Sequence, residues 1–179
     1  MEGSRSTFGR AGSAARQVRP ATDADVDDLV AIYVESGRHH ATVDPVTHVV
    51  PEALAAASRI RAKLADRGLA TFVAETEDGV VGLLELQVMP APPPGSIVRA
   101  IPTVRVGLAV REGRRGEGHG TRLMEFAEQW ARENGCTTVV LDMAAANEGA
   151  LRFYERLGYD VYGLMLRKSL GPRPGVAHR

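Results

Sequence analysis

The sequence predicts one α/β domain with helices on both faces of a mixed sheet. Three observations carry this expectation. Short β-branched or alternating apolar runs recur from Val18 to Met143. Between them lie stretches with apolar residues at helical spacing, bounded by capping residues and glycines. The 179 residues, 44% of them hydrophobic, suffice for one core. The elements read in the order βααββββαβαββ, without an internal repeat.

Residues 1–16 are Gly, Ser, Ala and Arg with almost nothing to bury, and they read as a disordered tail. The domain spans residues 17–171, and residues 172–179 form a frayed Pro/Gly-containing tail. Val18-Arg19-Pro20 is a short strand. Thr22 or Asp23 then caps a helix with Val26, Leu29, Val30 and Tyr33 on one face, ending near Gly37. Residues 38–50 lack clean periodicity and read as a solvated loop bordering a substrate cleft. This loop holds His39, His40, Asp44 and His48, but the spacing fits no standard ligand pattern, so no metal is expected.

Pro51 opens a second helix through Leu54, Ala57, Ile60 and Leu64, stopping at Gly68. Two strands, Thr71–Glu75 and Val80–Met89, form a hairpin around Asp78-Gly79. Within the second, Leu84 and Leu86 share one face while Glu85 and Gln87 share the other. Pro92-Pro93-Pro94 cannot lie inside a strand, and Ile97–Val110 resumes one, interrupted near Pro102. A helix carrying Leu123, Phe126, Ala127, Trp130 and Ala131 stops at Asn134-Gly135. Thr137–Met143 is a buried strand. A last helix holds Ala150, Leu151, Phe153, Tyr154 and Leu157 and ends at Gly158, and Tyr159–Leu170 closes the sheet as one long or two short strands.

Composition narrows the function. Twenty-two basic side chains balance 22 acidic ones, so nothing electrostatic asks for nucleic acid or an anionic membrane. The single cysteine, Cys136, excludes an internal disulfide framework and suits a reducing cytoplasm. No apolar run approaches the ~20 residues of a membrane span, and the arginines near the N-terminus lack an apolar h-region. A soluble cytoplasmic protein is expected.

The most informative stretch is Leu108–Thr121, where an apolar strand end meets a basic, glycine-rich loop and then a helix start. Glycines at 116, 118 and 120 remove the Cβ atoms that would hold a ligand off the backbone. Converging N–H groups and the positive end of the helix dipole make this a pyrophosphate-sized anion site. It is not a P-loop, because His119 and Gly120 stand after Gly118 where Lys and Ser/Thr are needed. The dinucleotide pattern G-x-G-x-x-G also fails, because Thr121 stands three after Gly118.

Arg115-Gly116-Glu117-Gly118-His119-Gly120, preceded by Leu108-x-Val110, does satisfy an R-x-x-G-x-G signature. Downstream runs Asn147-x-x-Ala150-x-x-Phe153-Tyr154-x-x-Leu157-Gly158-Tyr159. Together, in this order, the two stretches resemble motifs A and B of the GNAT superfamily of acyl-CoA-dependent N-acetyltransferases. The resemblance implies a mostly antiparallel, twisted sheet of six to seven strands, split between the strand ending at Val110 and the strand Thr137–Met143. It also implies acetyl-CoA as co-substrate and a primary amine of a small molecule or peptide as acceptor. Leu108, Ala109 and Val110 would pair with the pantetheine arm. Backbone N–H groups of Arg115, Gly116, Glu117, Gly118, His119, Gly120 and Thr121 would take the pyrophosphate, and Asn147 and Tyr154 would approach from the other side of the split. A neutral tyrosine hydroxyl can protonate the departing thiolate, which makes Tyr154 the general-acid candidate.

One departure concerns the base. Similar proteins often carry Glu two residues before the Leu of L-x-V, where this chain has Val106. Glu85, alternating away from the Leu84/Leu86 face, is the substitute candidate beside a water relay. Cys136 opens a buried strand and reads as core rather than nucleophile. Dimerisation is common among similar proteins, so a homodimer belongs to the expected states. An acyl-CoA-binding sensor on the same fold is the alternative to an enzyme.

Overall fold

Five strands form one sheet in the order β1-β2-β3-β4-β5: β1 Gln17–Pro20, β2 Ala70–Thr76, β3 Gly79–Val88, β4 Thr103–Val110 and β5 Thr138–Val140. The first four are antiparallel neighbours, whereas β5 runs parallel to β4. The structure is a computed structural model that describes residues 17–168 and 170. The expected disordered and frayed tails lie outside the described residues.

Helices α1 Val26–Val43 and α2 Ala53–Ala65 cover one face, and α3 His119–Glu133 and α4 Glu148–Arg156 the other. Period-two alternation along the strands divides the core accordingly. Val73, Val80 and Leu83 pack against Val26, Leu29, Ile32 and Ile60. Phe72, Ala74, Leu84, Leu86, Val104 and Val106 pack against Leu123, Met124, Ala127 and Ala131. The mixed sheet and its two helical layers agree with the fold class read from the sequence.

The strand count differs. Among the described residues five strands are present, not six or seven, for two physical reasons. Pro102 has no N–H to donate, and residues 97–102 form no strand ahead of β4. After Gly158 the chain leads away from β5 to the α1–α2 connection, where Arg167 bonds Thr47 and Asp44, and residues 159–168 form no strand. The strand expected over Thr137–Met143 is also shorter. β5 pairs with β4 only from Thr138 to Val140, opposite Thr103 to Arg105, and Leu141–Met143 has diverged.

Helix α1 does not stop near Gly37 but continues to Val43, so His39 and His40 are helical rather than loop residues. An interior glycine costs a helix ~1 kcal/mol relative to alanine. Here the missing side chain admits the Pro51 ring, since a Cβ at Gly37 would stand 2.5 Å from Pro51 Cδ. Gly37 is a close-approach site, not a terminator. The start of α1 is fixed by a capped turn in which Asp25 accepts from the Thr22 N–H at 2.8 Å. Asp25 is also gripped by Arg19, which holds Glu75 at the same time.

Candidate active site

The divergence of β5 from β4 opens a cavity of about 690 Å³, with β4 as one wall and α4 as the other. Its chemistry follows from the backbone of β4. Met89 N–H donates to the Thr103 carbonyl and Arg111 N–H donates to the Val81 carbonyl, so these residues face β3. Strand backbone groups alternate sides. The N–H and C=O groups of Val106, Leu108 and Val110 therefore face the opposite edge, where β5 has left. An unpaired strand edge lines the cavity and can hydrogen-bond an extended ligand as another strand would.

The glycine loop closes one end. Gly116 and Gly118 have φ of 80° and 84°, and Gly118 is the N-cap of α3. Only glycine adopts that left-handed geometry without cost, so the loop can turn and present N–H groups at the helix N-terminus. Arg115 reaches back to the open edge, its Nε donating to the Val110 carbonyl at 3.4 Å. The charge on Glu117 is balanced locally: Arg114 Nε donates to its carboxylate at 3.1 Å, and His119 Nε2 lies 3.1 Å from Oε2. The His119 bond, then Arg114, holds the Glu117 carboxyl below its ordinary value.

Helix α4 forms the other wall. Asn147 caps it, its Oδ1 accepting from the Ala150 N–H at 3.1 Å. Tyr154 is set between two aromatic edges, 5.0 Å from the Phe153 ring and 5.9 Å from the Tyr159 ring. Burial raises the Tyr154 phenol above its ordinary value, which keeps it protonated at physiological pH.

Of the residues predicted to form the site, Leu108, Ala109, Val110, Arg115, Gly116, Gly118, His119, Gly120, Thr121, Asn147 and Tyr154 all lie on the cavity wall. Glu117 and Glu85 do not. Glu85 lies on the α1/α2 face, where Lys63 Nζ donates to both of its carboxylate oxygens at 2.7 Å. Lys63 also sits 5.5 Å from the centre of the Tyr33 ring. Opposite Glu85 in the β3–β4 register is Gly107, which is part of the wall. A Cβ at Gly107 would be 3.3 Å from Glu85 Oε2, so only one strand's backbone separates that carboxylate from the cavity.

The sequence reading missed Gly107, Leu141, Asp142, Met143 and Phe153 as wall residues. The signal for Leu141–Met143 was available, because a strand that splits from β4 must expose its own far end. Ser36, His39 and His40 also line the cavity, from α1. His40 stacks on His48 with ring centres 5.0 Å apart. Burial, then His48, His39 and Arg115, holds the His40 imidazole below its ordinary value. Among the described residues no group of three or more His, Cys, Asp or Glu is placed to hold a metal ion, and no helix is long and apolar enough to cross a membrane.

A parallel strand pair that splits beside a glycine loop and a helix N-terminus is the frame of this cavity, and comparison with known proteins gives the fold a family. Residues 32–159 match the model of the acetyltransferase (GNAT) family, and the chain belongs to that family. It is 32% identical over 113 residues to rat N-acetyltransferase 8B, covering 63% of this chain and 49% of the relative. It is 42% identical over 65 residues to an acetyltransferase of Agrobacterium fabrum, covering 36% of this chain and 42% of the relative. The chain thus spans less than half the length of these relatives. Among solved structures, the BH1408 protein of Bacillus halodurans, a tetramutant, superposes with a TM-score of 0.79 at 22% identity, over 86% of this chain and 99% of that one. The aminoglycoside N-acetyltransferase AAC(6')-Iy in complex with CoA superposes at 0.67 with 15% identity, over 90% of this chain and 99% of the other.

Proposed function

We propose that the protein moves an acetyl group from acetyl-CoA to a primary amine of a small molecule or peptide, by direct attack of the amine on the thioester. The observation that carries this reading is the open edge of β4 from Val106 to Val110, facing a cavity with Tyr154 on its other wall. The free N–H groups of Leu108 and Val110 suit the amides of a pantetheine arm, and the Val110 N–H suits polarisation of the thioester carbonyl. The loop from Arg115 to Thr121 suits the pyrophosphate. Orientation of the two substrates supplies the rest of the rate enhancement.

Tyr154 gives its proton to the sulfur as the C–S bond breaks, a role supported by its wall position and the burial that keeps it neutral. Glu85 accepts the amine proton through water passing beside Gly107, with Lys63 fixing the carboxylate. The acceptor enters on the α1/α2 side, past His39 and His40. Relatives and neighbours are named for both kinds of amine: an N-alpha-acetyltransferase 30 of fission yeast and the aminoglycoside enzymes. The proposal is a cytoplasmic reaction, with neither nucleic acid nor membrane as partner and with a homodimer among the expected states.

A second reading, an acyl-CoA sensor without turnover, is favoured by one observation, since both oxygens of Glu85 are already engaged by Lys63. Free-thiol release from acetyl-CoA across a panel of polyamines, aminoglycosides, amino acids and peptide N-termini separates the two. Amine-dependent thiol release is the expected result. Thermal stabilisation by CoA with no release on any amine establishes the sensor instead, and stabilisation by ATP or NAD but not CoA defeats both.

A further inference from the structure

Tyr154 stands on the cavity wall, carried by a helix of only nine residues, Glu148–Arg156. A helix that short relies on tertiary contacts to hold a side chain in place. Two contacts with α3 bracket Tyr154 in the chain. Before it, Phe153 packs over the first turn of α3, and a Cβ at Gly120 would stand 3.1 Å from the Phe153 Cζ. After it comes Tyr159.

Tyr159 is tied to Tyr154 twice. Gly158, with φ of 86°, turns the chain back over the end of α4. The Gly158 N–H then donates to the Glu155 carbonyl at 3.0 Å, and the Tyr159 N–H to the carbonyl of Tyr154 itself at 3.1 Å. This is a Schellman closure, which sets residue 159 against residue 154. The two rings meet edge to face with centres 5.9 Å apart. A third group fixes the outer ring, because the Tyr159 hydroxyl donates to Glu128 Oε1 of α3 at 3.1 Å. Glu128 is held in turn by Arg132, 3.3 Å from its Oε2. Phenylalanine would supply the same ring for packing, and what the hydroxyl adds is a charge-assisted bond with a direction. Burial, then the charge of Glu128, pushes the Tyr159 phenol up, so it remains a donor at physiological pH.

We propose that Tyr159 is a positioning residue for the reaction: anchored on Glu128, its ring backs the Tyr154 ring and holds the Tyr154 hydroxyl where the thiolate leaves. This rests on Tyr154 being the general acid. Tyr159 and Glu128 line a separate groove and not the cavity wall, so they act through Tyr154 and touch neither substrate.

The test is thiol release from acetyl-CoA, with the fastest amine of the panel above as acceptor. Tyr159→Phe keeps the ring and the backbone closure and removes only the anchor. Its kcat should fall about tenfold while the KM for acetyl-CoA stays within about twofold of the wild type. Glu128→Ala should give the same loss, and Glu128→Gln, whose amide oxygen still accepts the bond, should restore most of it. A ring freed from its anchor lets water reach the Tyr154 phenol, so the alkaline limb of kcat should move to lower pH. In a Tyr154→Phe background, Tyr159→Phe should cost nothing further, because no phenol is left to aim. A mere strut between α3 and α4 would instead lower turnover by the same factor in both backgrounds. That equal loss, or wild-type kcat in Tyr159→Phe beside an impaired Tyr154→Phe, overturns the positioning role and leaves Tyr154 its chemistry. Wild-type turnover in Tyr154→Phe, or no release with any amine, removes the acid itself and the positioning role with it.

Discussion

The two faces of the sheet are built by different means. On the α3/α4 face the candidate site comes from contiguous sequence: a loop and helix N-terminus after β4, and one capped helix carrying Tyr154. On the α1/α2 face the groups are brought together from far apart in the chain. Lys63 meets Glu85 across 22 residues, and Arg19 meets Glu75 across 56. The first face depends on local backbone geometry, the second on long-range ion pairs. Substitutions on the first should therefore alter cofactor handling and turnover for every acceptor, whereas those on the second should alter stability or the proton's route.

The largest expected effect tests the first face. Tyr154→Phe removes the proton donor but keeps the ring between Phe153 and Tyr159, and turnover should fall by about 10²-fold, or about 2.7 kcal/mol of barrier. CoA affinity, measured by calorimetry, should be unchanged. Turnover equal to the wild type removes Tyr154 from the chemistry. Because burial raises the phenol's pKa, the alkaline limb of kcat should lie above that of an ordinary tyrosine and vanish in the variant.

The next effect belongs to the second face and is one of stability. Asp25 is 5% exposed, and the Arg19 bond, partly opposed by burial, lowers its carboxyl to about 2. A carboxyl depressed from 3.8 to about 2 contributes about 2 kcal/mol of folding stability. The folded value is the lower one, so this contribution is complete above the unfolded pKa and is lost as pH falls from about 4 through about 2. Arg19→Met should lower the urea midpoint at neutral pH and much less at pH near 2. Equal losses at both pH values would show that the pairing carries no stability.

These contrasts explain what the sequence made legible. Gly118 and Asn147 act within three residues of themselves, at a helix N-cap in each case, so the glycine spacing located the first and the motif resemblance the second. The continuation of α1 through Gly37 depends on Pro51, which packs over it from the next connection, and a local stop signal is silent about that. The shortening of β5 depends on where β4 leads, and the missing closing strands depend on which edge is within reach. Glu85 was identifiable as a carboxylate facing away from Leu84, but its partner Lys63 lies on α2, and strand alternation is silent about that pairing. Local chemistry was readable, whereas tertiary partnership was not.

A smaller effect probes the loop again. Gly118→Ala places a side chain at φ of 84°, with open space around the new Cβ, so the cost is backbone strain alone, about 1–2 kcal/mol. Relief of that strain would turn the peptide units that lead into α3. The KM for acetyl-CoA should rise more than the melting temperature falls. A lower melting temperature with unchanged KM would make the loop a connector and not a phosphate cradle.

The smallest expected change in stability comes from the Lys63–Glu85 pair of the α1/α2 face. Glu85→Gln keeps the shape beside Gly107 and removes the charge, and the half-buried Lys63 partner can turn towards solvent and Tyr33, so the stability loss should stay below about 1 kcal/mol. Turnover is the informative readout. If the amine proton leaves through Glu85, kcat/KM should fall most at low pH, where the amine itself carries a proton, and an amine of lower pKa should rescue it. Lys63→Met should move the same profile without abolishing activity, because it frees the carboxylate instead of deleting it. A pH profile identical in Glu85→Gln and wild type assigns the proton to solvent, and Lys63–Glu85 then counts only as a strut joining α2 to β3.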